Sequence, residues 1–188
     1  LHAKRTSVLK ALSSEIENLI KPLGMPNAQF DIQLAYSDTF LSNGKDEVNW
    51  LFSGNKGMQF GLLKKTASGG ELSRIMLAVK SILAEKSKLP TIIFDEIDTG
   101  VSGDVADKMG TIMQEMGNHM QIFAITHLPQ VASKGNQHFK VTKFDDDKVT
   151  TSTIKLLNTE ERIHEIAQML SGNTITDAAL QHAKQLLN

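Results

Sequence analysis

Two short apolar runs constrain the fold of this chain more than anything else in it. The apolar runs in PTIIFDEID, at 90–98, and MQIFAITH, at 120–127, are each strand-sized, and GDVADKMGTIMQEMGNH lies between them. In that intervening stretch Val105, Met109, Ile112, Met113 and Met116 recur at helical spacing. A strand, a helix and a strand in this order call for a crossover, and a crossover pairs its strands in parallel. Apolar runs without alternation are expected where a strand is covered on both faces. The fold class expected is therefore α/β, with a mainly parallel sheet flanked by helices and antiparallel strands at its edges. The methionines read as core filler.

Open α/β sheets bind ligands beyond the C-terminal ends of their strands. Asp95 and Glu96 follow the first apolar run there, and His127 follows the second. Adjacent carboxylates can divide the labour. Asp95 can hold Mg²⁺, directly or through water, as a hard oxygen donor. Glu96 can orient and deprotonate an attacking water. The competing reading is a solvated acidic turn after a strand, and a lone histidine is more often structural than functional.

KKTASGGELSRIMLAVKSILAEK, at 64–86, begins a helix with two glycines, although glycine is a poor helix former. Ser68 and Glu71 have the spacing of a capping box. Leu72, Ile75, Met76, Val79, Ile82 and Leu83 then form an apolar stripe. A capped core helix accounts for that pattern. So does an anion site, because bare glycines let a phosphate reach free N–H groups at the positive end of the helix dipole.

The rest of the chain is coarser. Residues 1–23 read as one helix with Val8, Leu12, Ile16 and Leu19 near one face and Lys4, Arg5 and Lys10 on the remainder, ended by KPLGMP. AQFDIQLAYS and EVNWLFSGN read as strands, with SDTFLSNGKD as a polar turn region between them. LPQVASK is a short helix. HFKVTKF and KVTTSTIKLL form a hairpin joined by DDDK, and helices near 159–171 and 175–187 close the chain.

Composition excludes several classes. The 188 residues suffice for one sizeable core and a small appendage. Twenty Lys+Arg against 21 Asp+Glu leave a net charge of -1, so no global field draws the chain to nucleic acid. With no cysteine there are neither disulfides nor thiolate metal sites, and a reducing cytoplasm is allowed. No stretch is apolar enough to span a membrane, and LHAKRTSVLK lacks the apolar core of a signal peptide. The absence of an initiator methionine suggests a cut-out fragment or a processed chain.

The order of these signals resembles a known arrangement. Ser-Gly-Gly-Glu opening a helix, then a strand ending in Asp-Glu, then a strand ending in Thr-His is similar to the C-terminal lobe of an ABC-type ATPase head. DEID, without the proline of DEPT, resembles the SMC-type branch. LKKTASGGELSRIMLAVK, IIFDEIDTGVSG, ITHLPQVAS and HFKVTK resemble its bacterial DNA-repair members, and the likeness extends to ERIHEIAQML and ALQHAKQLL.

The resemblance implies roles for particular residues. Ser68, Gly69, Gly70 and Glu71 would be the signature motif, binding the ATP phosphate of a partner subunit. Asp95 (for Mg²⁺) and Glu96 would be Walker B, and His127 the switch histidine, with Glu96 and His127 catalytic. Residues 1–23 would be the end of a returning coiled-coil arm and 24–188 the C-terminal lobe of the head. ATP and Mg²⁺ would be the cofactors, and the heads would form a homodimer sandwiching ATP. DNA would bind mainly through regions outside this chain, in double-strand break repair in the bacterial cytoplasm at the nucleoid.

Two features depart from the generic pattern. Ser102 stands where the D-loop usually carries aspartate, with Asp98 nearby. No GxxxxGK[ST] occurs, and neither SGNKGMQ nor SNGKDE has its spacing. In the family that loop lies at the far N-terminus, before a long coiled coil. The chain would thus hold half an active site and be inactive alone. A head fragment of another SMC-like or ABC-type ATPase, or a nucleotide-independent interaction domain, is the alternative.

Overall fold

Helix α1 (His2–Ile20) turns its C-terminal half into a core, where Ile16 and Ile20 are fully buried. The partly buried Leu9, Leu12 and Leu19 extend that face, and Val8 lies outside it at 55% exposed. The helical period runs through Leu9 rather than its neighbour. A 3-10 turn, Lys21–Leu23, follows, and Gly24 ends it with φ 80, a left-handed conformation that favours glycine.

The computed structural model describes residues 1–87, 89–146, 149–172 and 174–188. They pack as two compact units, Leu1–Leu89 with Ile97–Met109, and Pro90–Glu96 with Gly110–Asn188.

In the first unit β1 (Gln29–Leu41) and β2 (Gly44–Ser53) form an antiparallel hairpin, which β3 (Gly61–Leu62) extends. The strands run through most of the segment expected as a polar turn region. Leu41 pairs with Gly44 across a two-residue turn, and the register shifts between Tyr36 and Leu41. Polar residues exposed on both faces of a ribbon leave no alternation to read. At the hairpin's base Phe30 and Ile32 are buried, with Phe52 tilted against Phe30 at 5.2 Å between ring centroids. They join Ile16, Ile20, Ile75, Ala78 and Ile82 in one core.

The hairpin's far end is clasped to the start of α1. Asp46, 3% exposed, accepts a hydrogen bond from Arg5 Nη1 at 2.8 Å, and its Oδ1 lies 2.5 Å from His2 Nδ1. Those two contacts, His2 first, hold the Asp46 carboxyl below the usual carboxylate range. Nearer the base, the Phe30 N–H donates to Glu17 Oε1 at 2.8 Å.

After β3 come α2 (Leu63–Thr66) and α3 (Gly69–Lys86). Helix α3 buries Ile75, Leu77, Ala78, Ile82 and Ala84, whereas Met76 and Leu83, expected in its stripe, are 44% and 49% exposed.

In the second unit β4 (Thr91–Asp95) and β5 (Gln121–Ile125) are parallel, in the register Thr91↔Gln121 to Asp95↔Ile125. Burial on both faces, expected from their apolar runs, is not observed. Ile92 and Phe94 are buried, but Ile93, Phe123 and Ile125 are 62%, 45% and 55% exposed. Among the described residues this sheet has only two strands, and those three apolar side chains remain open to solvent.

Helix α4 (Gly103–Met116), whose residues up to Met109 belong to the first unit, links the strands; of its expected stripe Met109, Ile112, Met113 and Met116 are buried and Val105 is partly so. Helix α5 (Pro129–Lys134) follows β5. The antiparallel hairpin β6 (Phe139–Asp146) and β7 (Val149–Leu156) comes next, and the end of the expected DDDK turn, at 147 and 148, lies outside the described residues. Helices α6 (Thr159–Ser171) and α7 (Asp177–Leu187) pack around Ile166, Ala167, Ala179 and Ala183. Among the described residues no helix is long and apolar enough to cross a membrane.

Candidate functional site

The site residues expected from sequence fall into two groups, one in each unit. In the first unit Ser68 caps α3 from extended backbone, φ -67 and ψ 163. The Ser68 N–H donates to Glu71 Oε2 at 2.8 Å, and the Ser68 hydroxyl donates to the same oxygen at 2.7 Å. The Glu71 N–H returns to Ser68 Oγ at 3.4 Å, and the Leu72 N–H takes the Ser68 carbonyl at 2.9 Å.

These bonds satisfy the side chains of the capping box and two of the helix's initial donors. The N–H groups of Gly69 and Gly70, the first two helical residues, stand ahead of any intrahelical acceptor. A Cβ added at Gly69 would meet no atom within 4 Å. The helix start is therefore open to a ligand that approaches backbone. Gly54, just past β2, leans on the cap from the other side, where a Cβ would sit 3.2 Å from Glu71 Oε1.

One residue of this group escaped the sequence reading. A Cβ on Gly70 would lie 3.5 Å from Arg74 Nη1, so the Arg74 side chain reaches back one turn along α3 toward its start. Side chains four apart on a helix share a face and point toward its N-terminus, so an arginine four residues after a glycine was the available signal.

In the second unit the parallel register of β4 and β5 sets the geometry. Asp95 ends β4 opposite Ile125, and His127 follows Ile125 just past the end of β5. The ladder continues one step, because the Glu96 N–H donates to the Ile125 carbonyl at 3.1 Å. Glu96 has φ 47, the only positive φ outside glycine among the described residues. Such a backbone costs on the order of 1–3 kcal/mol and marks a turn held by its surroundings. Asp95, Glu96 and His127 are all exposed. Thr126 Oγ1 accepts the Leu128 N–H at 2.9 Å, which folds the chain sharply around His127 before Pro129 opens α5.

The two residues weighed for the D-loop differ in burial. Asp98 is 1% exposed, whereas Ser102 is on the surface. Among the described residues no three His, Asp or Glu side chains gather as a ready-made metal cage. An exposed carboxylate at a strand end suits Mg²⁺, which binds through one or two carboxylates and fills its shell with water and phosphate oxygens. Asp95 fits that donor set.

No family model matches the chain. Its whole length aligns with proteins named DNA repair protein RecN. It is 44% identical over 188 residues to that of Rickettsia conorii and 39% over 189 residues to that of Haemophilus influenzae, covering 100% of this chain and 34% of each relative. The chain thus spans about a third of the length of the curated relatives it matches.

Among solved structures, the Smc head domain with a coiled coil and joint from Pyrococcus yayanosii matches with a TM-score of 0.66 at 17% identity, over 88% of this chain and 30% of that one. A chain from work on the ATP-driven dimerization and DNA-stimulated activation of SMC ATPases matches with a TM-score of 0.59 at 16% identity, over 92% and 99%. At these identities the likeness establishes the fold, that of an SMC head.

Proposed function

We propose that this chain, a stretch of RecN-family sequence with the SMC head fold, supplies half of each ATP-hydrolysing site in a longer DNA repair protein. The observation that carries the reading is the parallel β4–β5 register, which brings Asp95, Glu96 and His127 to the same strand ends.

In this reading Asp95 holds Mg²⁺, which neutralises charge on the phosphates. Glu96 orients the attacking water and takes its proton. His127 donates a hydrogen bond to the phosphoryl group being transferred. The start of α3 serves the nucleotide of a second copy, its Gly69 and Gly70 amides facing that copy's terminal phosphate. ATP then closes two heads and hydrolysis opens them. The phosphate-cradling loop lies elsewhere in the longer protein, so this stretch alone turns over no ATP. Helix α1 is the root of a coiled-coil arm. DNA is engaged mainly by other regions, in keeping with the near-zero net charge here.

The test is Glu96→Gln in the full-length protein. ATP binding should persist, while turnover falls about 10²–10⁴-fold for a lost general base. Asp95→Ala should instead weaken Mg²⁺-dependent nucleotide binding. Loss of nucleotide binding and head closure together in Glu96→Gln would overturn the assignment of base and metal ligand.

A further inference from the structure

SGNKGMQ, at 53–59, lacks the spacing of a phosphate-cradling loop, and its construction is of another kind. The segment leaves β2 at Ser53, which is 1% exposed. The buried Ser53 hydroxyl is directed at two loop carbonyls, that of Asn55 at 3.2 Å and that of Met58 at 3.0 Å. The Met58 N–H donates to the Asn55 carbonyl at 3.2 Å, and Gly57 turns the chain with φ 82. At the far end Gly61 leaves no room for a side chain, because a Cβ there would fall 2.3 Å from Thr66 Oγ1. Both ends and the middle of this loop are therefore held to one backbone shape.

The side chains on that backbone have no part in the core. Asn55, Lys56, Met58, Gln59 and Phe60 are all exposed, Met58 at 50% and Phe60 at 45%. A loop whose backbone is ordered and whose side chains are left outside has already met the ordering cost of a contact surface. Methionine and phenylalanine are enriched at protein interfaces, and methionine adapts to the surface it meets. The root of the loop leans on the capping box of α3, where a Cβ on Gly54 would sit 3.2 Å from Glu71 Oε1. Loop and helix start lie side by side in one unit.

We infer that the loop at 55–60 is a second point of contact between two copies of this protein, seating Met58 and Phe60 on the partner beside the place where α3 meets its nucleotide. The inference rests on the reading of the α3 start as serving a second copy, and it adds a protein–protein contact to that site. Two apolar side chains are too few to hold two copies together on their own, so the contact forms when ATP closes the pair and parts when hydrolysis opens it.

The experiment uses full-length protein in the slow-turnover Glu96→Gln background. Benzoylphenylalanine, a photo-crosslinking residue, is placed at Lys56 or at Met58, and the protein is illuminated with and without ATP. Each position should give a covalent pair of copies with ATP and little without it. Met58→Asp should weaken ATP-driven association about tenfold by sedimentation, with the nucleotide affinity of the isolated subunit and the melting temperature unchanged. Ser68→Arg, which fills the space at the α3 start, is the comparator and should abolish association. If Ser68→Arg blocks association while neither position crosslinks two copies, or while Met58→Asp associates normally, the loop contact is refuted and the site at α3 stands. If Ser68→Arg associates normally, the reading of the α3 start is itself refuted.

Discussion

Helices α3 and α6 begin with the same device and differ in what surrounds it. Both carry a complete capping box, Ser68 with Glu71 and Asn158 with Glu161. In α6 the Asn158 Oδ1 accepts the Glu161 N–H at 2.9 Å, and Glu161 returns to the Asn158 N–H at 3.0 Å. The first two helical positions there are Thr159 and Glu160, and Lys155 pairs with the Glu161 carboxylate. Glu161 there has a counterpart in Lys155, and a second acidic side chain, Glu160, stands in the same first turn. In α3 the same two positions are Gly69 and Gly70, and the nearby Arg74 is uncompensated. A capping box is thus an architectural feature. What distinguishes the start of α3 is the absence of side chains at its first two positions, its one acid being turned to the cap.

The largest expected effect breaks that difference directly. Gly69→Asp gives the first turn of α3 a second acid, matching the two, Glu160 and Glu161, of α6. An acid there favours the helix, and an added Cβ meets nothing, so the melting temperature should hold or rise. ATP-driven association of the full-length protein should fall more than about a hundredfold, because a carboxylate would face a phosphate where a charge-assisted bond had been. Normal assembly of Gly69→Asp would show that the phosphate is bound elsewhere. Thr159→Asp at the corresponding position of α6 should leave association unchanged.

A smaller effect tests what the two caps share. Ser68→Ala and Asn158→Ala should each cost about 1 kcal/mol in chemical denaturation, the usual value of an N-cap. Only the first should also weaken association. Equal effects of both on association would mean that the cap acts through helix stability alone.

The smallest effect concerns the extra charge at α6. The hydrogen bond from Lys155, then that from the Asn158 backbone, holds the Glu161 carboxyl below its ordinary value. A carboxylate with a depressed folded pKa contributes stability that is fully present above the unfolded pKa and is lost as pH falls through the folded one. The melting temperature should therefore decline on acidification below the ordinary glutamate range, and less steeply in Lys155→Met. An NMR titration of Glu161 that follows an ordinary glutamate curve would remove the basis for this.

Much of this was legible in the sequence, and the exceptions share a cause. The α3 cap was readable because its residues interact within one turn. The positions of Asp95, Glu96 and His127 at strand ends followed from two apolar runs and a crossover, which is short-range information joined by a chirality rule. The burial of those runs was misread because a strand's composition reflects every neighbour in its complete sheet, whereas β4 and β5 form a two-stranded sheet among the described residues. Ile93 and Phe123 keep the side chains of an interior without having one. The outer half of the β1–β2 ribbon was read as a loop because Ser37, Asp38 and Thr39 have no buried face to alternate with. The approach of Arg74 to Gly70 was missed because sequence periodicity records only the apolar positions.

The clasp at Asp46 gives β2 a mechanical character. The strand is a rod of about 30 Å by its rise per residue. One end is gripped by the first turn of α1 through Arg5 and His2, and past the other end Gly54 abuts the carboxylate that caps α3. No slack loop lies between those anchor points, so the gauge from the root of α1 to the mouth of the SGGE helix is set by a stiff ladder of hydrogen bonds, as a strut sets the spacing of two bearings.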